Sequence, residues 1–195
     1  MGKIKYLKDV ESIFKKSIIV NSSSISRITK NKQYTKQMIR NLIREKKINR
    51  LSKGCYTIHD DPSLAVFCFK PSYLGLQDAL SFNNLWEQET IPIIVTTAKV
   101  RQGIRTILGT NVLIKRINKK YLFGFDYRNY SDFYLPYSDI EKTLIDLIYF
   151  KQPIDKETLK EIIKRIDKKK LNKYLKVYPK KIRKRVINAV ENKKV

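Results

Sequence analysis

The sequence predicts an α+β protein: an N-terminal winged helix-turn-helix, a small mixed α/β central unit and C-terminal helices. Three observations carry that prediction. A short helix, a polar turn, a basic amphipathic helix and a basic hairpin follow one another within residues 1–60. Strand and helix periodicities mix over residues 61–152, and only helical periodicity remains beyond Pro153. The boundaries read from this are a first domain at 1–60 and a second at 61–195, the latter mixed α/β to 152 and helical from 153. With 195 residues, 42% of them hydrophobic, the chain can bury a core without metal or disulfide staples.

Taken in order, Ile4, Leu7, Val10 and Phe14 recur at three- and four-residue steps and predict a first helix. Ile18-Ile19-Val20 reads as a strand, and Asn21-Ser22-Ser23-Ser24 supplies N-caps for a brief second helix facing inward through Ile25 and Ile28. Lys30-Asn31-Lys32-Gln33 is a polar turn. The third helix, from about Tyr34 to Lys47, has an apolar stripe of Met38, Ile39, Leu42 and Ile43. Its other face carries Lys36, Gln37, Arg40, Arg44 and Lys47 and no acid, Glu45 being the helix's one carboxylate. Residues 48–58 read as two short strands around Ser52-Lys53-Gly54, where glycine can take a positive φ.

Further on, Tyr73, Leu76, Ala79, Leu80 and Asn83 share a helical face, while residues 91–97 and 111–117 read as strands. Tyr121, Phe123, Phe125 and Tyr127 alternate with other residues, as do Phe133, Leu135 and Tyr137. This is the period-two pattern of half-buried strands, and the aromatic row is expected to face a core rather than to stack on bases. Ser138 with Glu141 forms a capping box before a helix striped by Ile140, Leu144, Leu147 and Ile148, in which Lys142 and Asp146 stand four apart. The tail holds three amphipathic stripes: Leu159, Ile162, Ile163 and Ile166; Leu171, Tyr174 and Leu175; and, after Pro179, Ile182, Val186, Ile187 and Val190.

The formal net charge is +24, and its distribution matters more than its size. Residues 1–60 hold 15 basic and 4 acidic side chains, residues 61–150 hold 10 and 9, and residues 151–195 hold 17 and 5. A genome-wide drift towards lysine would not leave the middle neutral. A surplus of this kind at both ends points to a polyanion. An α-helix fits the major groove of duplex DNA, so the third helix is the candidate reader. Arg40 and Gln37 have the chemistry for bidentate contacts to guanine and adenine; Arg50 and Lys53 on the hairpin suit phosphate or the minor groove. The tail's lysines are either a solvated helical surface, a second phosphate-contacting surface or a patch for an acidic protein.

Enzyme chemistry finds little footing, and no metal or cofactor is expected. His59 is the one histidine, and Cys55 and Cys68, thirteen apart, lack zinc-site spacing. The Gly103 and Gly109 region lacks the spacing and lysine of a phosphate loop. A carboxylate-metal nuclease would have to recruit Asp126, Asp132, Asp139, Glu141 and Lys142, each of which has a turn, cap or pairing explanation. No apolar run reaches a membrane span and the first residues lack the pattern of a secretory leader, so a cytoplasmic protein with two reduced thiols is expected.

Three stretches carry a resemblance to a family: Leu51-Ser52-Lys53-Gly54-Cys55-Tyr56, residues 71–80 (PSYLGLQDAL) and residues 138–147 (SDIEKTLIDL). Over residues 5–152 the chain resembles the AbiEi-type antitoxins of type IV toxin–antitoxin (abortive infection) systems. The resemblance implies a DNA-binding N-terminal domain that represses its own operon at repeat sequences, and a larger part that counteracts a nucleotidyltransferase toxin. It places the DNA role on Thr35, Lys36, Gln37, Arg40, Arg44 and Lys53, and offers no catalytic residues. The very lysine-rich terminal helices depart from many members. The alternative expectation is a winged-helix transcriptional regulator without a toxin partner.

Overall fold

The computed structural model describes residues 6–191. The fold is α+β, and the chain divides into two compact units, Met1–Cys68 with Arg105–Val112, and Phe69–Ile104 with Leu113–Val195. Helix α1 spans Leu7–Lys16, β1 Val20–Asn21, α2 Ser22–Thr29, α3 Lys32–Arg44, β2 Asn49–Ser52 and β3 Cys55–Thr57. Ile4, predicted to open the first helix, lies outside the described residues.

In the first unit β1, β3 and β2 form an antiparallel sheet in that order, with Arg50 opposite Tyr56 and Val20 on the other side of Tyr56. Val10 and Phe14 of α1, Ile25 of α2 and Met38, Ile39 and Leu42 of α3 close one core over Val20, Ile48 and Tyr56. Helix-turn-helix-wing order is therefore as the periodicity predicts, with a shifted frame. Helix α3 begins at Lys32 rather than Tyr34 because Asn31 caps it, its Oδ1 accepting from the amides of Gln33 (3.0 Å) and Tyr34 (2.9 Å). It ends at Arg44, after which Lys46 turns the chain with φ 55°. The unit runs past residue 60 to Cys68 through a 3₁₀ segment, Pro62–Phe69.

The expectation of two reduced thiols is corrected. Cys55 and Cys68 form a disulfide with Cα atoms 6.0 Å apart, tying β3 to the 3₁₀ segment. Sequence spacing alone does not reveal that a strand and a later helical segment fold back on each other.

The remaining elements are β4 Ser72–Leu74, α4 Gln77–Phe82, β5 Ile93–Thr96, β6 Gly103–Ile107, β7 Thr110–Arg116, β8 Phe125–Tyr130, β9 Phe133–Ser138, α5 Ile140–Tyr149, α6 Lys156–Arg165, α7 Lys168–Leu175 and α8 Lys180–Glu191. The strands form one sheet in the order β6-β7-β5-β4-β9-β8. Pairing is parallel at β5–β7 and β4–β9 and antiparallel at β4–β5 and β8–β9. Tyr73, Leu80, Val95 and Leu144 share a core with Ile162, Leu171, Leu175, Tyr178 and Val186. The helices beyond Pro153 are thus part of the second unit's own core rather than a separate appendage.

Several local expectations change. Tyr73 lies on β4, not on a helix; β4 and β5 are buried at every position, so they lack the alternation that marks a half-exposed strand. The aromatic run splits: Tyr121 sits in a 3₁₀ turn, strand β8 starts only at Phe125, and Tyr127 is 58% exposed on this edge strand rather than facing the core. Phe133, Leu135 and Tyr137 are buried as the pattern predicts. Strand β6 has no anticipated counterpart, its short polar pattern being that of an exposed sheet edge. The N-cap of α5 is Asp139 rather than Ser138. Asp139 Oδ1 accepts from the Lys142 amide at 2.8 Å, while Ser138 Oγ pairs with Thr143 Oγ1 at 2.7 Å.

Candidate nucleic-acid interface

Local backbone chemistry in the first unit sets α2, α3 and the wing around one hollow. Lys30 takes a left-handed φ of 53° to end α2, and Asn31 then starts α3, so the two helices meet through a one-step turn. On the wing, Gly54 has φ +79°, and its carbonyl accepts from the Ser22 amide at 2.9 Å. A Cβ at Gly54 would stand 3.1 Å from Ser22 Oγ, so glycine serves both the turn and the approach of α2.

The result is a concavity of about 670 Å³ between the start of α2, one face of α3 and the wing. Among the described residues six cations line it, Arg27 and Lys32 beside Lys36, Arg40, Arg50 and Lys53, and no carboxylate does. Ser22, Ser23 and Ser26 add hydroxyls at the first turns of α2, and Ile39 and Ile43 give the floor an apolar strip. Hydroxyls, backbone amides at a helix start and cations are the groups that hold phosphate oxygens.

The predicted residues therefore part company. Thr35, Lys36, Arg40, Arg50 and Lys53 share the concavity. Gln37 and Arg44 lie on α3's outer flank, where both donate to Asn41 Oδ1, at 3.1 and 3.3 Å. Lys47 falls beyond the helix and faces Glu11 at 3.6 Å and Glu45 at 3.4 Å. Thr35 lines the concavity from its floor, largely buried, with its hydroxyl 2.5 Å from that of Thr29 and donating to the Asn31 carbonyl at 2.7 Å. Arg27 and Lys32 are not among the residues that the sequence marks for DNA. Lys32 opens α3 itself, four residues before Lys36 on the same stripe, while Arg27 reaches it only through the folding of α2 against α3.

Of the carboxylates considered for metal chemistry, Asp126 and Asp132 are exposed, whereas Asp139 and Glu141 take part in the second unit's packing. Asp139 Oδ2 accepts from Tyr174 Oη at 2.8 Å and faces Lys170 at 3.0 Å, while Glu141 accepts from the Asp167 amide at 2.8 Å and faces Lys170 at 3.2 Å. These bonds hold the start of α7 against the start of α5, a role for Glu141 quite different from the capping box. Deeper, Lys142 pairs with Asp146, as the i,i+4 spacing predicts, and both reach Tyr73 Oη, at 2.8 Å from Lys142 and 2.6 Å from Asp146. All three side chains are buried, and burial lowers the Lys142 ammonium pKa while raising those of Asp146 and Tyr73.

No protein-family model matches this chain, and no curated protein matches it by sequence. Among solved structures, the crystal structure of the Rv2827c protein from Mycobacterium tuberculosis is similar. The TM-score is 0.64 at 13% sequence identity, covering 94% of this chain and 75% of that one. At that identity the likeness shows a shared fold alone. Among the described residues no helix is long and apolar enough to cross a membrane.

Proposed function

We propose that the chain is a DNA-binding antitoxin that represses its own operon in a type IV toxin–antitoxin system and counteracts a nucleotidyltransferase toxin. The observation that carries the DNA half is the concavity bounded by α3 and the wing, with six cations and no carboxylate on its walls among the described residues. In this reading α3 enters the major groove, Lys36 and Arg40 reach base edges or phosphates, and Arg50 and Lys53 grip the backbone from the wing. The hydroxyls and amides at the start of α2 take a neighbouring phosphate. Repression follows from occupancy of the promoter and needs no catalytic group. The antitoxin half rests on the three sequence stretches that resemble the AbiEi-type family.

The test is a titration of the full chain against its own promoter and a scrambled duplex at two salt concentrations. Tighter, saturable promoter binding supports an operator-reading repressor; equal, salt-erased binding to both removes it. Co-expression with a neighbouring nucleotidyltransferase-like gene product should relieve toxicity. Promoter binding without such a neighbour would make the chain a stand-alone regulator.

A further inference from the structure

We propose that the outward faces of α7 and α8 form a second, sequence-independent contact for the phosphate backbone of duplex DNA. Lys169 and Lys173 on α7 and Lys176 at its C-cap recur at four- and three-residue steps, and Lys181, Lys184 and Arg185 do so on α8, so each set makes one stripe. Both helices spend their apolar sides, Leu171 and Leu175 on α7 and Val186 on α8, in the core over α5. The two stripes are on the opposite sides, exposed to solvent.

None of these six cations has an ion-pair partner among the described residues. The cation the fold does use in this region, Lys170, is the one that meets Asp139 and Glu141. The unpaired ones stand as like charges three and four residues apart, which destabilises a helix. Compositional drift towards lysine does not account for them. Helix α6, next to them in the chain, interleaves Glu157 and Glu161 with its lysines, and Lys164 pairs with Glu161 at 2.5 Å. A uniform cationic surface maintained against its own repulsion is what a polyanion stabilises.

The chemistry of the stripes narrows the partner. They contain no exposed aromatic ring on which an unpaired base could stack, as single-strand binders require. Leu171, Leu175 and Val186 are buried in the core and α8 exposes one large apolar side chain, Ile187, so neither helix has an apolar face wide enough to insert into lipid. A protein interface would need a desolvated aromatic or arginine anchor, and on these faces the five lysines and Arg185 are all exposed. Two exposed stripes of five lysines and one arginine suit the backbone of a duplex.

The experiment measures the affinity of the full chain for a fluorescent random-sequence duplex across a series of salt concentrations. The variant is K173Q/K176Q/K181Q/K184Q, glutamine being neutral and compatible with exposed helix positions. Removing one lysine–phosphate pairing should flatten the slope of log K against log salt by about 0.9, so removing four gives a change of about 3 to 4. Thermal unfolding equal to the parent shows that the fold is intact. An unchanged slope overturns the proposal. So does loss of binding to anionic phospholipid vesicles, or to an acidic polypeptide, with the duplex slope unaltered. The proposal stands on the second unit's charge and is separable from the promoter reading. In K36Q/R40Q, promoter preference should fall while most of the salt-dependent binding to random duplex remains.

Discussion

Arg40→Gln in the full chain removes one cation from the centre of the concavity and leaves helix α3 intact. Arg40 is exposed on α3, and lines the hollow with Lys36 one turn earlier and with Arg50 and Lys53 on the wing. Glutamine keeps helix propensity close to that of arginine, so loss of binding cannot be ascribed to unwinding. If Arg40 reads a base edge, discrimination between promoter and scrambled duplex should fall by about 1–3 kcal/mol, roughly 5- to 150-fold. If it grips a phosphate, affinity for both duplexes should fall alike and the salt slope should flatten by about 0.9. The control is Gln37→Ala, whose amide is turned to Asn41 on the flank and lies outside the concavity. That change should alter promoter affinity much less than Arg40→Gln does. Fluorescence anisotropy with both duplexes at several salt concentrations separates the outcomes. Parental affinity, discrimination and salt slope in Arg40→Gln would refute the placement of α3 in the groove.

Four other outcomes follow from the packing. Thr35→Ala breaks the buried Thr29–Thr35 hydroxyl pair and should destabilise the first unit by about 1–2 kcal/mol. Promoter affinity, corrected for the folded fraction, should be unchanged. Asp146→Ala leaves Lys142 buried without its carboxylate and should cost about 3–5 kcal/mol in urea unfolding, much of it recovered in K142M/D146A. Burial and the hydrogen bond to Asp139 push the Tyr174 pKa up to about 12. A raised folded-state value means that the stabilisation is complete below the ordinary tyrosine pKa, about 10, and is lost as pH rises from there to about 12. Tyrosinate absorbance should lose its latest moderately shifted component in Tyr174→Phe. Finally, protein unfolded without reductant should show no reactive thiol, and reduction of the Cys55–Cys68 bond should lower stability by about 3 kcal/mol for a closed loop of this length. A full count of two thiols before reduction would contradict the bond.

Amphipathic periodicity and turn chemistry made the first unit legible. Met38, Ile39 and Leu42 had to face inward, Gly54 had to turn the wing, and Lys36 and Arg40 were left outside. The second unit was harder to read because its central strands are covered on both faces. Tyr73-Leu74 carries no alternation, and an apolar run of that length is compatible with either helix or strand. Asp139 took the cap expected of Ser138 because both precede α5, and only the paired end of β9 decides which side chain meets the free amides.

What the sequence determined by itself was the order of elements, the basic outer face of α3, the neutral middle and the charged ends. These are local or additive properties, set by residue type and spacing along one chain. The tertiary structure decided which distant residues share a surface. It brought Arg27 to Lys32, Lys36, Arg40 and the wing, spent the Thr35 hydroxyl on Thr29 and Asn31, and turned Gln37 and Arg44 to a flank. It also joined Cys55 to Cys68 and spent Asp139, Glu141 and Asp146 on packing. Those outcomes depend on the angle at which elements cross and on which polar groups lose water when they do, and neither is written in the spacing of residues along a single element.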